Sequence, residues 1–428
     1  MPRILILTPQ LPHPPQAFTG RSQGTTIRNF NLIARLARRH TIDLLTFLAP
    51  TPGVTDADGL DGASIDEVAL LRPYCRNIVA AAPPVRTLAQ RGWDTLFNAL
   101  PDMALRLESP AMHAHLDRLL RENDYDVIQV EGIEMAPYAL RWLAARGPVT
   151  GADRARPRLI FDDHNAEYLL QKRAFTTDVR RPRRWLGAAY SLVQWQKLAH
   201  YERRICRAAD GVAAVSEADR AALQALAPGL HVTVVPNGVD LDFYRPGVVP
   251  PLPGLGANAL VFTGKMDYRP NVDAVLWFTD AVLPRILAQI PDAHFYVVGQ
   301  QPHARLAHLA GHPAVTLTGR VPDVRPYIAG AGVFVVPLRI GGGTRLKVLE
   351  AMAMGQALVS TRLGCDGFTF EDGREVRFAD DPAAFADAVS GLLRDRGRAA
   401  HLGRAARAYV EAYFGWDAIV PLLEGLYP

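Results

Sequence analysis

Short apolar runs recur along the chain, with helical patterns between them. In the first half they are Arg3–Leu7, Thr41–Phe47, Arg76–Ala81, Asp126–Val130, Arg158–Asp162, Gly211–Ser216 and His231–Pro236. In the second half they are Ala259–Gly264, Ala293–Gly299, Ala314–Gly319, Ala331–Pro337, Ala357–Thr361 and Val376–Ala379. Most are continuously apolar rather than alternating, the pattern of strands buried on both faces of a parallel sheet. Their alternation with helices predicts an α/β protein built from two doubly wound units. Between the two sets lies a linker composition: Pro236, Pro246, Pro250, Pro251 and Pro253 with several glycines. The end, Ala400–Tyr427, reads as helical and carries Tyr409, Tyr413, Phe414 and Trp416.

Length agrees with two units, since 428 residues exceed one ordinary core and suit two domains of about 200 each. With 49% hydrophobic and 21% charged residues the balance is globular, not disordered or fibrous. No window approaches the roughly 20 apolar residues that span a bilayer. Met1-Pro2-Arg3 followed by Ile4–Leu7 is too short an apolar run for a signal peptide and reads as a first strand. A cytoplasmic protein is expected. Cys75, Cys206 and Cys365 are far apart and form neither a metal-ligand spacing nor a disulfide framework. The net charge of +4 points only weakly to anionic partners. Residues 171–207 concentrate it, with ten basic side chains against two acidic ones, and Trp185 and Trp195 among them. Two readings of this stretch stay open: a helix lying on the inner face of an anionic membrane, and a helix packed on the first domain with a solvated basic face.

Four stretches carry candidate chemistry. The first is Ile340-Gly341-Gly342-Gly343-Thr344-Arg345-Leu346-Lys347-Val348-Leu349-Glu350, a strand leading through glycines into a helix. Glycines let backbone N–H groups approach an anion, and the helix N-terminus adds positive charge. Arg345 and Lys347 there oppose the helix dipole, a local cost expected where a ligand binds. No Gly-Lys-Ser/Thr closes the loop, so it is not a Walker A motif; a diphosphate is the expected ligand. Glu350, amid apolar neighbours, needs a partner if buried, and a ribose diol would supply two O–H donors. The second stretch is Gly264-Lys265-Met266-Asp267-Tyr268-Arg269-Pro270-Asn271, after a strand and before a helix, where ligands bind in open α/β sheets. Lys265 is a candidate for a leaving phosphate, with Arg269 a second cation. The third is Asp162-Asp163-His164-Asn165-Ala166-Glu167, where His164 suits a phosphate or sugar hydroxyl near neutral pH. Adjacent Asp162 and Asp163 on a strand end point in different directions and are no sign of a metal. The fourth is the loop after the first strand, with Gly24, Thr25 and Arg28 opening a helix.

Val215-Ser216-Glu217, Pro236-Asn237-Gly238-Val239-Asp240 and the glycine loop running to Glu350-Ala351-Met352-Ala353-Met354-Gly355 resemble family 4 glycosyltransferases. The segment from Gly264 to Asp273 is similar to a branch of sugar transferases of exopolysaccharide assembly. The resemblance implies the GT-B fold, two Rossmann-like domains facing across a cleft. Residues 1–240 would bind acceptor, 241–405 would bind the nucleotide-sugar, and 406–428 would be a C-terminal helix returning to the first domain. It implies a retaining, metal-independent hexosyltransferase whose nucleotide-diphosphate sugar is a substrate, with no cofactor. The acceptor would be a glycan or lipid-linked glycan in cell-surface polysaccharide or glycoconjugate synthesis; no nucleic acid partner is expected.

By that resemblance His164, Lys265 and Lys347 would be catalytic. Gly264, Arg269, Arg320, Gly342, Gly343, Thr344, Arg345, Leu346 and Glu350 would bind donor, and Gly24, Thr25 and Arg28 acceptor. Two positions depart from the family pattern. Gly342 stands where a glutamate usually contacts the donor sugar, with Arg345 to compensate, and Pro270 stands at the spacing of a second phosphate cation, a role left to Lys347 or Arg269. Two other readings stay open: a nucleotide-sugar 2-epimerase on the same fold, and a non-catalytic nucleotide-sugar-binding paralogue.

Overall fold

Apolar runs too dense to alternate fold here as parallel strands covered by helices on both faces. The computed structural model describes residues 1–14, 24–48, 67–146, 156–179, 185–341 and 345–428. Thirteen strands are found among them, one for each of the apolar runs. They divide between two units, Met1–Pro236 with Val420–Pro428, and Asn237–Ile419.

The first unit holds β1 (Arg3–Thr8), β2 (Thr41–Phe47), β3 (Asn77–Ala81), β4 (Val127–Glu131), β5 (Arg158–Asp163), β6 (Gly211–Ala214) and β7 (Val232–Val234). All pair in parallel, in the order β3-β2-β1-β4-β5-β6-β7. Ile4 sits beside Ile42 on one side and Val127 on the other. The helices are α1 (Gly24–Leu36), α2 (Leu88–Phe97), α3 (Asp102–Leu105), α4 (Pro110–Glu122), α5 (Ala136–Arg146), α6 (Glu167–Asp178), α7 (Trp185–Ala208) and α8 (Glu217–Leu226). Strand order reverses between β1 and β4. The loops leaving the carboxyl ends of these strands therefore diverge and leave a crevice, the usual place for a ligand in such sheets.

The second unit repeats the plan. Its strands are β8 (Ala259–Thr263), β9 (His294–Val298), β10 (Val315–Gly319), β11 (Val333–Val336), β12 (Leu358–Ser360) and β13 (Arg377–Phe378). Their order is β10-β9-β8-β11-β12-β13, all parallel. The reversal falls between β8 and β11, the two strands that lead into the Gly264 and glycine-loop motifs. Helices α9 (Arg269–Trp277), α10 (Leu283–Leu287), α11 (Arg325–Ala329), α12 (Leu346–Ala353), α13 (Pro382–Arg394), α14 (Arg396–Tyr413) and α15 (Trp416–Glu424) complete the chain. The proline-rich stretch is not a free linker. Val239 and Tyr244 are buried in the second unit's core, and the Leu252 amide donates to the Pro326 carbonyl at 3.0 Å. Ala406 and Val410 of α14 are buried in that same core, while Val420–Pro428 group with the first unit.

One close approach shapes the second site. A Cβ on Gly299, after β9, would lie 1.6 Å from the carbonyl oxygen of Gly264. Only a glycine there lets the loop after β8 lie flat against its neighbour. Gly299→Ala is expected to lower stability by about 1–3 kcal/mol or more, because backbone rather than a movable side chain must yield. Chemical denaturation of the purified variant measures it.

Candidate active site

In the second unit the loop after β8 and the first turns of α12 meet. The Lys347 ammonium donates to Asn271 Oδ1 at 2.9 Å and stands 4.0 Å from the centroid of the Phe262 ring. Asn271 is held in turn by donating its Nδ2 to the Lys265 carbonyl at 2.8 Å. A Cβ on Gly264 would come within 2.7 Å of both Lys347 Nζ and Asn271 Nδ2, so a glycine is what makes room for the ammonium. Burial pushes Lys347 down to about 7; the nearby Arg345 charge adds to this and Glu350 opposes it. Glu350 is on the same face of α12 one turn on. Its Oε1 accepts from the Tyr244 hydroxyl at 3.1 Å. Burial raises Glu350 above the usual carboxylate range, against the Tyr244 hydrogen bond and the Lys347 charge.

In the first unit β4, β5 and α1 converge. His164 Nε2 lies 2.8 Å from Glu131 Oε2. Burial disfavours the charged imidazole, yet the hydrogen bond and charge of Glu131 outweigh it and raise its pKa. Arg28 makes a two-pronged ion pair with Asp162, 2.8 Å at its shortest, both side chains being buried, and also donates to the Pro236 carbonyl at 3.0 Å. Asp163 points away from Asp162. Burial, then the charge of Glu202, raises it well above the ordinary value. Glu202 is itself raised to about 8 by burial, although it accepts from the Glu167 and Tyr168 amides at 2.7 and 3.0 Å. Burial and the Glu134 charge bring Glu167 to about 7. A pocket of about 610 Å³ opens beside these groups, lined by Thr25, Asn29, Gly132, Glu134, His164 and Glu167 among others.

Glu131, Asp162 and His164 bring one donor atom each within 4.8 Å of one another. Their oxygens and Nε2 are already engaged by one another, by Arg28 and by the Gln129 amide. The guanidinium already neutralises Asp162, and the three groups form a hydrogen-bond network with Arg28 and Gln129.

Residues 22–243 match the family described as Glycosyltransferase Family 4, and residues 257–395 match the one described as Glycosyl transferases group 1. The chain belongs to glycosyltransferase family 4. It is 27% identical, over 344 residues, to the GDP-mannose-dependent alpha-(1-6)-phosphatidylinositol monomannoside mannosyltransferase of Mycobacterium tuberculosis, covering 74% of this chain and 79% of that one. A phosphatidyl-myo-inositol mannosyltransferase of Mycolicibacterium smegmatis is 27% identical over 305 residues, 69% of each chain. Among solved structures it is similar to sucrose-phosphate synthase from Thermosynechococcus elongatus (TM-score 0.64, 19% identity, 100% of this chain and 98% of that one). Anabaena HepE in complex with UDP and glucose gives a TM-score of 0.61 at 15% identity, covering 99% of each. These neighbours have the GT-B fold of two Rossmann-like domains, and the chain is a glycosyltransferase with that fold.

The expected residues of this glycosyltransferase are not all brought together. Gly264, Lys347 and Glu350 sit in one cluster, with Arg345 buried beside it and Leu346 opening α12. Lys265 contributes its carbonyl, but its side chain is exposed, as are those of Arg269 and Arg320. Gly342, Gly343 and Thr344 lie outside the described residues, as do Arg180–Arg184 of the basic stretch. Thr25 and His164 line the first unit's pocket; Gly24 opens α1, and Arg28 is committed to Asp162. Sequence reasoning missed Tyr244, Asn271 and Glu131 as partners. Asn271 stood inside a quoted motif. Glu131, a carboxylate ending an apolar strand, was the available signal for the third. Nothing local marked Tyr244, which is 106 positions from Glu350.

Two expectations follow for stability. Arg28→Met leaves the Asp162 carboxylate buried without its ion-pair partner, and urea unfolding should show a loss of about 3–5 kcal/mol. Lys347 has a folded pKa near 7, lowered from 10.5, so the unfolded chain binds more protons between these values and wild-type stability rises with pH there. Lys347→Met should therefore melt above the wild type at pH 6, and the gap should narrow as pH rises to about 9. A variant that melts lower at pH 6 would contradict the desolvated ammonium.

Proposed function

We propose that this glycosyltransferase moves a hexosyl group from a nucleoside-diphosphate sugar to a glycan or lipid-linked acceptor, with retention and without a metal, in cell-surface polysaccharide or glycoconjugate assembly. The observation that carries the donor half is the Lys347 ammonium. It is desolvated at the strand-order reversal of the second unit, with a neutral amide as its hydrogen-bond partner. A diphosphate would supply the missing counter-charge and return the lysine to its charged form. Glu350, already aligned by Tyr244, would accept from a ribose diol. In the transfer, the bond from the sugar C1 to the diphosphate oxygen breaks. The acceptor oxygen bonds to C1 on the same face, and its proton passes to the leaving diphosphate. Lys347 and backbone N–H groups of the glycine loop would stabilise the charge developing on that oxygen, with Lys265 reaching in from its exposed position.

On the acceptor side, the first unit's pocket offers Thr25, His164 and several carboxyl groups to sugar hydroxyls. Arg28 there acts by anchoring α1 through Asp162. Peripheral membrane contact through residues 171–207 fits the lipid acceptors named for the mycobacterial relatives. Trp185 at the start of α7 is 62% exposed, in keeping with that contact. Trp195 instead stacks on Phe175 with Lys172 over its ring. Among the described residues no helix is long and apolar enough to cross a membrane.

Thermal unfolding with GDP, UDP, ADP, CMP and no ligand tests the donor site. The relatives named for GDP-mannose and the neighbour that holds UDP put those two nucleotides first. A ligand at 100-fold its Kd adds about 2.7 kcal/mol, a rise of roughly 5–10 °C for a domain near 200 residues. The rise should appear with one base and vanish in Lys347→Met. No rise with any nucleotide would leave the loop a structural turn and refute the donor assignment.

A further inference from the structure

His164 is one end of a buried hydrogen-bond chain whose other end is Tyr427. The Tyr427 hydroxyl donates to Gln129 Oε1, the Gln129 amide donates to Glu131 Oε1, and Glu131 Oε2 faces His164 Nε2 at 2.8 Å. Tyr427, Gln129 and Glu131 are 8%, 0% and 1% exposed, so water does not compete for these groups. The direction of the chain follows from chemistry. Glu131 as a carboxylate accepts only, so Gln129 turns its NH₂ toward it and leaves Oε1 for the phenol. For the same reason Nε2 of His164 carries a hydrogen. The neutral ring then has its lone pair on Nδ1, which has no partner among the described residues, on a side chain that lines the pocket.

The segment that brings Tyr427 here is held by other contacts as well. Glu424 pairs with His40 and Arg39, each at 2.7 Å, and the Tyr427 ring meets His40 edge-on at 5.7 Å between centroids. The hydroxyl is therefore not what docks the segment. Several charged or titratable groups surround the imidazole. They are Arg28 from α1, Glu131 from β4, Glu134 beyond it, Asp162 and Asp163 from β5, and Glu167 from α6. Of these, Glu131 makes the direct hydrogen bond to Nε2.

We propose that Tyr427 is a positioning residue for His164: through Gln129 and Glu131 its hydroxyl holds the imidazole with Nε2–H inward and Nδ1 presented to the pocket as the acceptor for a sugar hydroxyl. This rests on the reading of the pocket given above, but its test does not need that reading to be right. Without the phenol, Gln129 Oε1 is a buried acceptor lacking its donor. The amide turns to find another, and Glu131 loses the N–H that fixes it against Nε2. As the released carboxylate swings away from Nε2, the imidazole loses the acceptor that fixes its tautomer and the close counter-charge that favours its protonated form.

Ring-¹⁵N histidine labelling of the full chain, with His164→Asn to assign the signal, reports tautomer and titration directly. In the wild type the neutral His164 ring should be the Nε2–H form. In Tyr427→Phe, which keeps the ring contact with His40, the Nδ1–H form should appear and the titration midpoint should fall by about half a pH unit or more. Gln129→Met should give the same change and the double variant no more than either, as for residues acting in one chain; it also serves if Tyr427→Phe fails to fold. A wild-type tautomer and midpoint in both variants, or additive shifts in the double variant, would overturn the proposal. Turnover of the donor that the nucleotide panel selects separates the two ideas. Full activity in His164→Asn refutes the reading of His164 and leaves the relay to the spectra. A loss of about tenfold in kcat in Tyr427→Phe, at unchanged donor KM, supports both.

Discussion

Lys347 reaches its place under Gly264 because three things coincide. Strand order reverses between β8 and β11, so the chain segments leaving them diverge and leave room. Gly299 has no Cβ, so the loop after β8 can lie against it, and Gly264 has none, so the ammonium can lie against that loop. What fills the space is an aromatic face and an amide oxygen, which solvate a cation less well than water does. The charge is therefore held at a cost that the rest of the second unit's core must offset. Such an arrangement would favour an arriving anion, whose oxygens would replace solvation the lysine has already given up. The Tyr244 hydroxyl does the complementary thing for Glu350, satisfying one lone pair of a carboxylate that burial would otherwise push toward its neutral form.

The first unit handles buried charge in the opposite way. Its carboxyl groups are numerous, and each is dealt with separately. Asp162 is neutralised by Arg28, Glu131 is bound by His164 and Gln129, and Glu202 caps two backbone amides at the start of α6. Burial raises both Asp163 and Glu202, the Glu202 charge adding to the first and the Glu167 charge to the second, so both favour the protonated form. A pocket bordered by such groups presents hydrogen-bond acceptors and neutral acids more than net positive charge, as suits hydroxyl-rich sugars. The contrast between the units is one of chemistry on a shared topology. Six strands run in the same order in both sheets, and both put their candidate side chains at the carboxyl ends of strands, after β8 and β11 in the second unit and after β1, β4 and β5 in the first.

How much of this could be read from residue order differs by level. Every strand was legible, because a parallel strand buried on both faces leaves a continuous apolar signature that needs no partner to recognise. Motif positions were legible too, since each falls just after such a strand. The stretch of linker composition does contain the division between the units, at Pro236 and Asn237, but its packing was not legible. Val239 and Tyr244 are core residues, and two apolar side chains in a proline-rich stretch make no periodic pattern.

Residue order by itself determined the α/β class, the two doubly wound units and the family, and it singled out the chain segments with candidate chemistry. It also marked Lys347, Glu350 and His164, whose neighbours along the chain are unusual for charged or titratable residues. Only the tertiary structure decided who their partners are. Asn271 meets Lys347 across 76 positions, Tyr244 meets Glu350 across 106, and Tyr427 meets Gln129 across 298. It likewise turned Arg28 inward to Asp162 and left the side chains of Lys265, Arg269 and Arg320 at the surface. The reason is physical. Apolar burial is a property of each segment and shows in its composition, whereas a hydrogen bond or ion pair depends on two side chains whose meeting is set by sheet order and packing.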